Sequence, residues 1–154
     1  MVFLFSDTAS REQREITGIL RRHGAGIVSS REAAVKDDPA FLLLIHRAPI
    51  NITTENGTAI FASPCDTFRD QRLPAGIAGV CEKDNKTALA VLQKSKNPVI
   101  SCGMDPRNAL TLSGVLDDAV CVGLQRTVSD RNGNELSPAE YPVLLTNSFS
   151  HVII

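Results

Sequence analysis

Aromatic side chains are scarce in this chain, which has no tryptophan, one tyrosine and six phenylalanines. That scarcity argues against a stacking platform for unpaired bases. Charge of one sign is missing too. The formal net charge is -1, and neither acidic nor basic residues gather into a block. The electrostatic footprint of a nucleic-acid binder is therefore absent. The longest apolar run, Phe41 to Ile45, is far too short to span a bilayer. The N-terminus has neither a basic stretch nor a long apolar segment, so it does not resemble a signal peptide. A cytoplasmic protein is the expectation, and Asn-x-Thr strings such as Asn56-Gly57-Thr58 carry no weight there.

Four cysteines (Cys65, Cys81, Cys102, Cys121) are widely spaced, with no C-x-x-C pair, and His23, His46 and His151 show no ligand spacing. No metal and no cofactor are expected. The thiols read as reduced, small apolar groups within or near strands. No Ser-His-Asp or Cys-His order shows a local signature, so the sequence leans away from an enzyme.

What is present is an alternation of strands and helices. At 154 residues the chain fits one domain, 1–154, and a domain of this size hides roughly 70% of its unfolded surface. Val2 to Phe5 predicts a short buried strand, Ser6 to Ser10 a polar turn, and Arg11 to His23 a helix closed by Gly24. Ser10 with Gln13 forms a capping-box pattern. Gly26 to Val28 predicts a strand, and Ser29 with Glu32 the start of a brief helix ending before Pro39. Phe41 to Ile45 is continuously apolar, as a central strand covered on both faces requires. Strands follow at Thr58 to Ala62, Ile77 to Cys81 and Pro98 to Cys102, with a helix from Asp84 or Asn85 to about Lys96. Such spacing predicts an α/β fold: a Rossmann-like or P-loop-like, three-layer, mainly parallel sheet of about five strands.

Beyond Gly103 the pattern turns to period two. Leu110 to Val115 and Ala119 to Val128 predict antiparallel β segments around a turn at Leu116-Asp117-Asp118. Asn132-Gly133 is a hairpin signal leading into Glu135-Leu136. Pro138 and Pro142 limit pairing nearby, and Val143 to Leu145 predicts an edge strand. The apolar end Val152-Ile153-Ile154 is expected to dock on its own domain or on a neighbouring subunit.

The opening strand, turn and helix form the setting in which glycine-rich loops cradle phosphates. Together with Gly79-Val80-Cys81-Glu82-Lys83-Asp84-Asn85, the following helix and Val99-Ile100-Ser101-Cys102-Gly103, this order resembles the central ATP-binding domain of the Mur ligases. Those enzymes add amino acids to peptidoglycan precursors. The resemblance covers about residues 1–136, leaving 137–154 as a C-terminal extension. The family's loop reads Thr-Gly-Thr-x-Gly-Lys-Thr-Thr; here the stretch is Ser6-Asp7-Thr8-Ala9-Ser10-Arg11-Glu12-Gln13. Asp7 and Ser10 replace glycines, Arg11 replaces the lysine, and Glu12 replaces the hydroxyl that would hold magnesium. His46 and Arg47 stand where the family's metal-binding glutamate follows its strand. Cys81 or Glu82 stands at the adenine-recognising asparagine. The resemblance thus implies a non-catalytic relative, a degenerate P-loop domain acting as a binding or assembly module.

The candidate ligand-binding residues are Ser6, Thr8, Ser10 and Arg11 in the first turn. Asp105, Arg107 and Asn108 join them, beyond the carboxyl end of a predicted strand, where open α/β sheets bind ligands. The simpler account of Gly103 to Asn108 is an Asp-Pro turn with solvated charges. The partners expected are a second copy or another protein, or a nucleotide-like small molecule, with no nucleic acid and no membrane. The rival is an enzyme or sensor with altered nucleotide or phosphate-ester binding, in which Arg11 and Arg107 clamp an anion and Asp105 serves as acid or base.

Overall fold

A computed structural model describes residues 1–30, 33–35, 39–54, 56–116, 119–130 and 134–144. The chain divides into two compact units, Met1–Ile100 and Ser101–Ile154. In the first, chain order is β1 (Val2–Phe5), α1 (Arg11–Arg22), β2 (Ala25–Ser29), β3 (Ala33–Ala34), β4 (Phe41–His46) and β5 (Gly57–Phe61). A single 3-10 turn (Asp66–Phe68), β6 (Ile77–Glu82) and α2 (Lys86–Ser95) follow. β7 (Val99–Gly103) crosses the boundary in sequence. The second unit adds β8 (Leu110–Val115), β9 (Ala119–Leu124), β10 (Val128–Ser129), β11 (Glu135–Leu136) and β12 (Ala139–Leu144). The fold is α/β, with a mainly parallel sheet followed by antiparallel strands, as the alternation of segments predicts.

β1 is the centre of the first unit, parallel to β4 on one side and β5 on the other, and all four of its residues are buried. Side chains of a strand alternate between faces, so β1 serves two cores. Val2 and Leu4 pack with Ala25, Ile27 and Leu43, and against Ile16 and Leu20 of α1. Phe3 and Phe5 pack with Ala59, Phe61 and Phe68, and against Ala88, Val91 and Leu92 of α2. Phe5 has Phe61 and Phe68 each 5.0 Å away between ring centres. The result is three layers, α1, sheet and α2. Right-handed crossovers running opposite ways from the sheet centre place their helices on opposite faces.

The helix ends follow from local chemistry. Ser10 Oγ accepts the Gln13 N–H at 3.0 Å and Asn85 Oδ1 accepts the Ala88 N–H at 2.9 Å, each satisfying a donor that has no intrahelical partner. Gly24, with φ of 85°, turns the chain out of α1 in the left-handed region where glycine is favoured.

The strand order is β3-β2-β4-β1-β5-β6 across the first unit, with β2, β4, β1, β5 and β6 mutually parallel and β3 antiparallel to β2. Numbered in chain order, those five parallel strands run 2-3-1-4-5, whereas the dinucleotide-binding order begins 3-2-1-4-5. The third strand, β4, therefore lies beside the first and brings His46-Arg47 next to the end of β1. The brief helix expected before Pro39 is corrected at the described residues. Ala34 and Ala33 pair with Ile27 and Val28, so strand pairing takes up the two alanines. Glu32, half of the expected capping box, lies outside the described residues.

In the second unit β7 pairs in parallel with β8, and β8, β9 and β12 are antiparallel, with an irregularity between Leu112 and Gly114. β12 lies at an edge, which explains how Pro142 can pair opposite Cys121. The segment predicted as Ala119 to Val128 is broken. The Gln125 N–H turns to Ala109 O at 2.8 Å, and Val128 pairs instead with Leu136 in a separate antiparallel pair. The turn residues Asp117-Asp118 and Asn132-Gly133, Leu145, and the tail Val152 to Ile154 lie outside the described residues.

Gly79 of β6 marks the tightest approach of helix to sheet. A Cβ there would lie 2.1 Å from Leu92 Cδ2. Gly79→Ala should displace α2 and destabilise the first unit by about 1–3 kcal/mol, read as a lowered urea midpoint. An unchanged midpoint would contradict this packing.

Candidate functional site

Ligands of open parallel sheets bind outside the carboxyl ends of strands where connections diverge. β1 connects away toward β2 and β5 toward β6, so that crevice lies between the ends of β1 and β5. It is closed by the protein's own side chains. The Asp7 N–H donates to Pro64 O at 2.9 Å, and the Asp7 carboxylate accepts the Thr67 N–H at 3.1 Å. Glu12 Oε2, from the first turn of α1, accepts the Ser63 N–H at 3.0 Å. Backbone donors that could receive an anion are thus taken by two carboxylates. Burial, and then the Glu82 carboxylate nearby, push the Glu12 carboxyl above its usual range; the Ser63 N–H opposes this and Glu15 adds to it. A phosphate chain brought here would meet like charge.

The candidate residues of the first turn are occupied by the fold. Ser6 is buried; its N–H donates to His46 O at 3.2 Å and its hydroxyl to Thr8 O at 2.8 Å. Ser10 caps α1. Arg11 Nε lies 2.7 Å from Glu15 Oε1 on the exposed side of the helix. His46 is not a cationic anion ligand: burial lowers its pKa, and its ring lies against Phe3 and Phe5.

Asp105, Arg107 and Asn108 come together in the second unit. Asp105 accepts the Arg107 N–H at 2.9 Å and holds the guanidinium through Nε at 3.2 Å and Nη2 at 3.0 Å. The carboxylate raises the Arg107 pKa further. Arg126 donates to Arg107 O, and the Asn108 N–H to Asp105 O at 2.9 Å. Asn108 is buried, with Nδ2 unpartnered. This is a loop that neutralises its own charges.

Between Cys65 and α2 lies an open cavity of about 480 Å³ with Asp66 and Asp84 on its wall. Cys65 Sγ sits 3.3 Å from Asn85 Oδ1, and burial raises the thiol pKa, so it is not a thiolate nucleophile. No group of three or more His, Cys, Asp or Glu residues among those described could hold a metal ion.

The site that sequence reasoning missed lies on the other side of α1. A cavity of about 320 Å³ is lined by Gln13, Arg14, Thr17 and Arg21 of the helix, and by Ser29, Ser30 and Arg47 at the carboxyl ends of β2 and β4. Among the described residues, three guanidinium groups and no carboxylate line it. Arg14 and Arg47 have no ion-pair partner among the described residues. Gln13, 6% exposed, forms its floor or wall with a fixed amide. The Thr17 hydroxyl donates to Gln13 O at 2.7 Å and so accepts from Gln13 Nε2 at 3.3 Å, leaving Oε1 with no donor. The available signal was the polar stripe Gln13, Thr17, Arg21 at helical spacing, running beside Ile16 and Leu20.

No protein-family model matches the sequence, and no curated protein matches it either. No helix among the described residues is long and apolar enough to cross a membrane.

Because its folded pKa is raised, Glu12 contributes stability in full below its ordinary 4.5, and that contribution is lost as pH rises through the folded value. Glu12→Gln keeps an acceptor for Ser63 N–H without the charge. It should melt above the wild type at pH 7, with the gap closing toward pH 4. A gap of equal size at both pH values would show that charge is not its cause.

Proposed function

We propose that this chain is a non-catalytic, Mur-ligase-like binding module that does not handle nucleoside triphosphates and receives a small anion in the pocket beside α1. The observation that carries this reading is the contrast between two places at the carboxyl edge of the sheet. The switch-point crevice is lined by Asp7 and Glu12, which hold its backbone donors. The neighbouring cavity is lined by Arg14, Arg21 and Arg47, and among the described residues no carboxylate lines it and Arg14 and Arg47 have no ion-pair partner. Guanidinium forks match phosphate and carboxylate oxygens, and charge-assisted hydrogen bonds of this kind contribute about 1.5–3 kcal/mol each. A cytoplasmic location is part of the same proposal.

Thermal-shift titration tests it. Inorganic phosphate should raise the melting temperature with concentration, while ATP with magnesium should gain nothing from its nucleoside or its metal. Arg14→Ala or Arg47→Ala should weaken phosphate binding roughly tenfold to a hundredfold, and Arg11→Ala should leave it unchanged. Loss on Arg11→Ala alone would return the ligand to the β1–α1 turn.

A second reading, assembly, draws on β12. All six of its residues are exposed, Tyr141 and Val143 each at 45% and Leu144 at 74%. An apolar sheet edge is a template for strand addition. Sedimentation velocity should then show self-association that Val143→Lys abolishes. A wild-type chain that stays monomeric across the concentration range would remove this reading.

A further inference from the structure

We infer that Gly18 decides what the arginine-lined pocket admits: its missing side chain leaves room for a small apolar body, and the ligand is an organic anion that carries one. This rests on the anion-binding reading above and adds the class of molecule and the residue that selects it. Gly18 lies in the interior of α1, four residues after Arg14 and three before Arg21, so the three share one stripe of the helix. All three line the cavity.

The described residues give no packing or conformational reason for a glycine there. The other glycines of the first unit have evident reasons. Gly24 and Gly76 take positive φ of 85° and 92°, and a Cβ at Gly26, Gly57 or Gly79 would lie 3.1, 3.1 or 2.1 Å from its nearest neighbour. At Gly18 the backbone is helical, and among the described residues no atom comes within 4 Å of where a Cβ would be. Glycine in a helix interior is less favourable than alanine, because more backbone freedom is lost on folding. What that loss leaves open is space on the wall of the cavity.

The rest of the lining says what fills that space. Arg14 and Arg47 have no ion-pair partner among the described residues, so an acid group belongs with them. Ala9 and Ile45 line the same cavity and add apolar carbon to its wall. A bare inorganic ion satisfies guanidinium groups and leaves that carbon wet. An anion with a short alkyl body covers it as well.

Isothermal titration of the full chain with inorganic phosphate and isobutyl phosphate tests this, at about pH 8 where both are mainly dianions. The wild type should bind isobutyl phosphate about tenfold tighter, the effect of taking roughly two methylene-sized groups out of water. Gly18→Leu, which fills the space, should abolish that preference while keeping inorganic phosphate binding. Gly18→Ala should melt above the wild type without ligand, since alanine is the better helix former. Equal wild-type affinity for the two probes would overturn the inference and leave the anion reading standing. So would a Gly18→Ala chain that melts lower, or an undiminished preference in folded Gly18→Leu. Binding of neither probe would overturn both readings. The wild-type comparison decides the matter even where Gly18→Leu fails to fold.

Discussion

A strand with no solvent-facing side must satisfy two cores at once, and β1 carries that constraint for the whole first unit. Its four residues alternate Val2 and Leu4 toward α1 with Phe3 and Phe5 toward α2. Neither helix could be removed without exposing half of β1 to water. Each fully buried side chain of this size contributes about 1.5–3 kcal/mol, so the two faces hold each other in register through one strand. The fixed position of β1 in turn fixes the Ser6-Asp7 turn, the start of α1 and the crevice beside β5. Site geometry here is inherited from the core.

With the scaffold held in this way, the distribution of charge decides what the carboxyl edge of the sheet can accept. Anion sites in such folds use backbone N–H groups and helix N-termini. In this chain Ser63 and Thr67 N–H groups point at carboxylates of the same protein. Cationic side chains instead gather on the opposite flank of α1, where Arg14 and Arg21 from one helix line the same cavity as Arg47, the residue after β4. β4 can reach that place because it lies beside β1, a consequence of the 2-3-1-4-5 order. The order of strands, more than any one loop, has set where positive charge accumulates.

Much of this fold was legible in the sequence, because its signals are local. Ser10 and Asn85 cap helices that start where expected, Gly24 ends the first, and the continuous run Phe41 to Ile45 announced a buried strand. Legibility failed where a partner distant in sequence decided the outcome. Ala33-Ala34 favours a helix by itself, and becomes a strand because Ile27 and Val28 offer open backbone groups. Val128 continues a period-two pattern but is drawn off by Leu136. The pocket was hidden for the same reason. Arg47 and Ser29 are ordinary strand-end residues until the topology sets them beside α1. Glu12 was legible as an obstacle to phosphate, but its bond to Ser63, fifty-one residues away, was not.

That bond makes the present state of the crevice hard to leave. A phosphate-cradling loop would need a short hydroxyl at position 12 and glycine near position 7. Either single change strips an acceptor from a backbone N–H, at Ser63 or at Thr67, before any ligand is there to replace it. An evolving chain would have to cross a less stable intermediate with nothing gained in binding. The two carboxylates thus act as a ratchet on descent, steering new specificity toward the arginine-lined flank, where Arg14 and Arg47 can be exchanged without breaking an ion pair among the described residues.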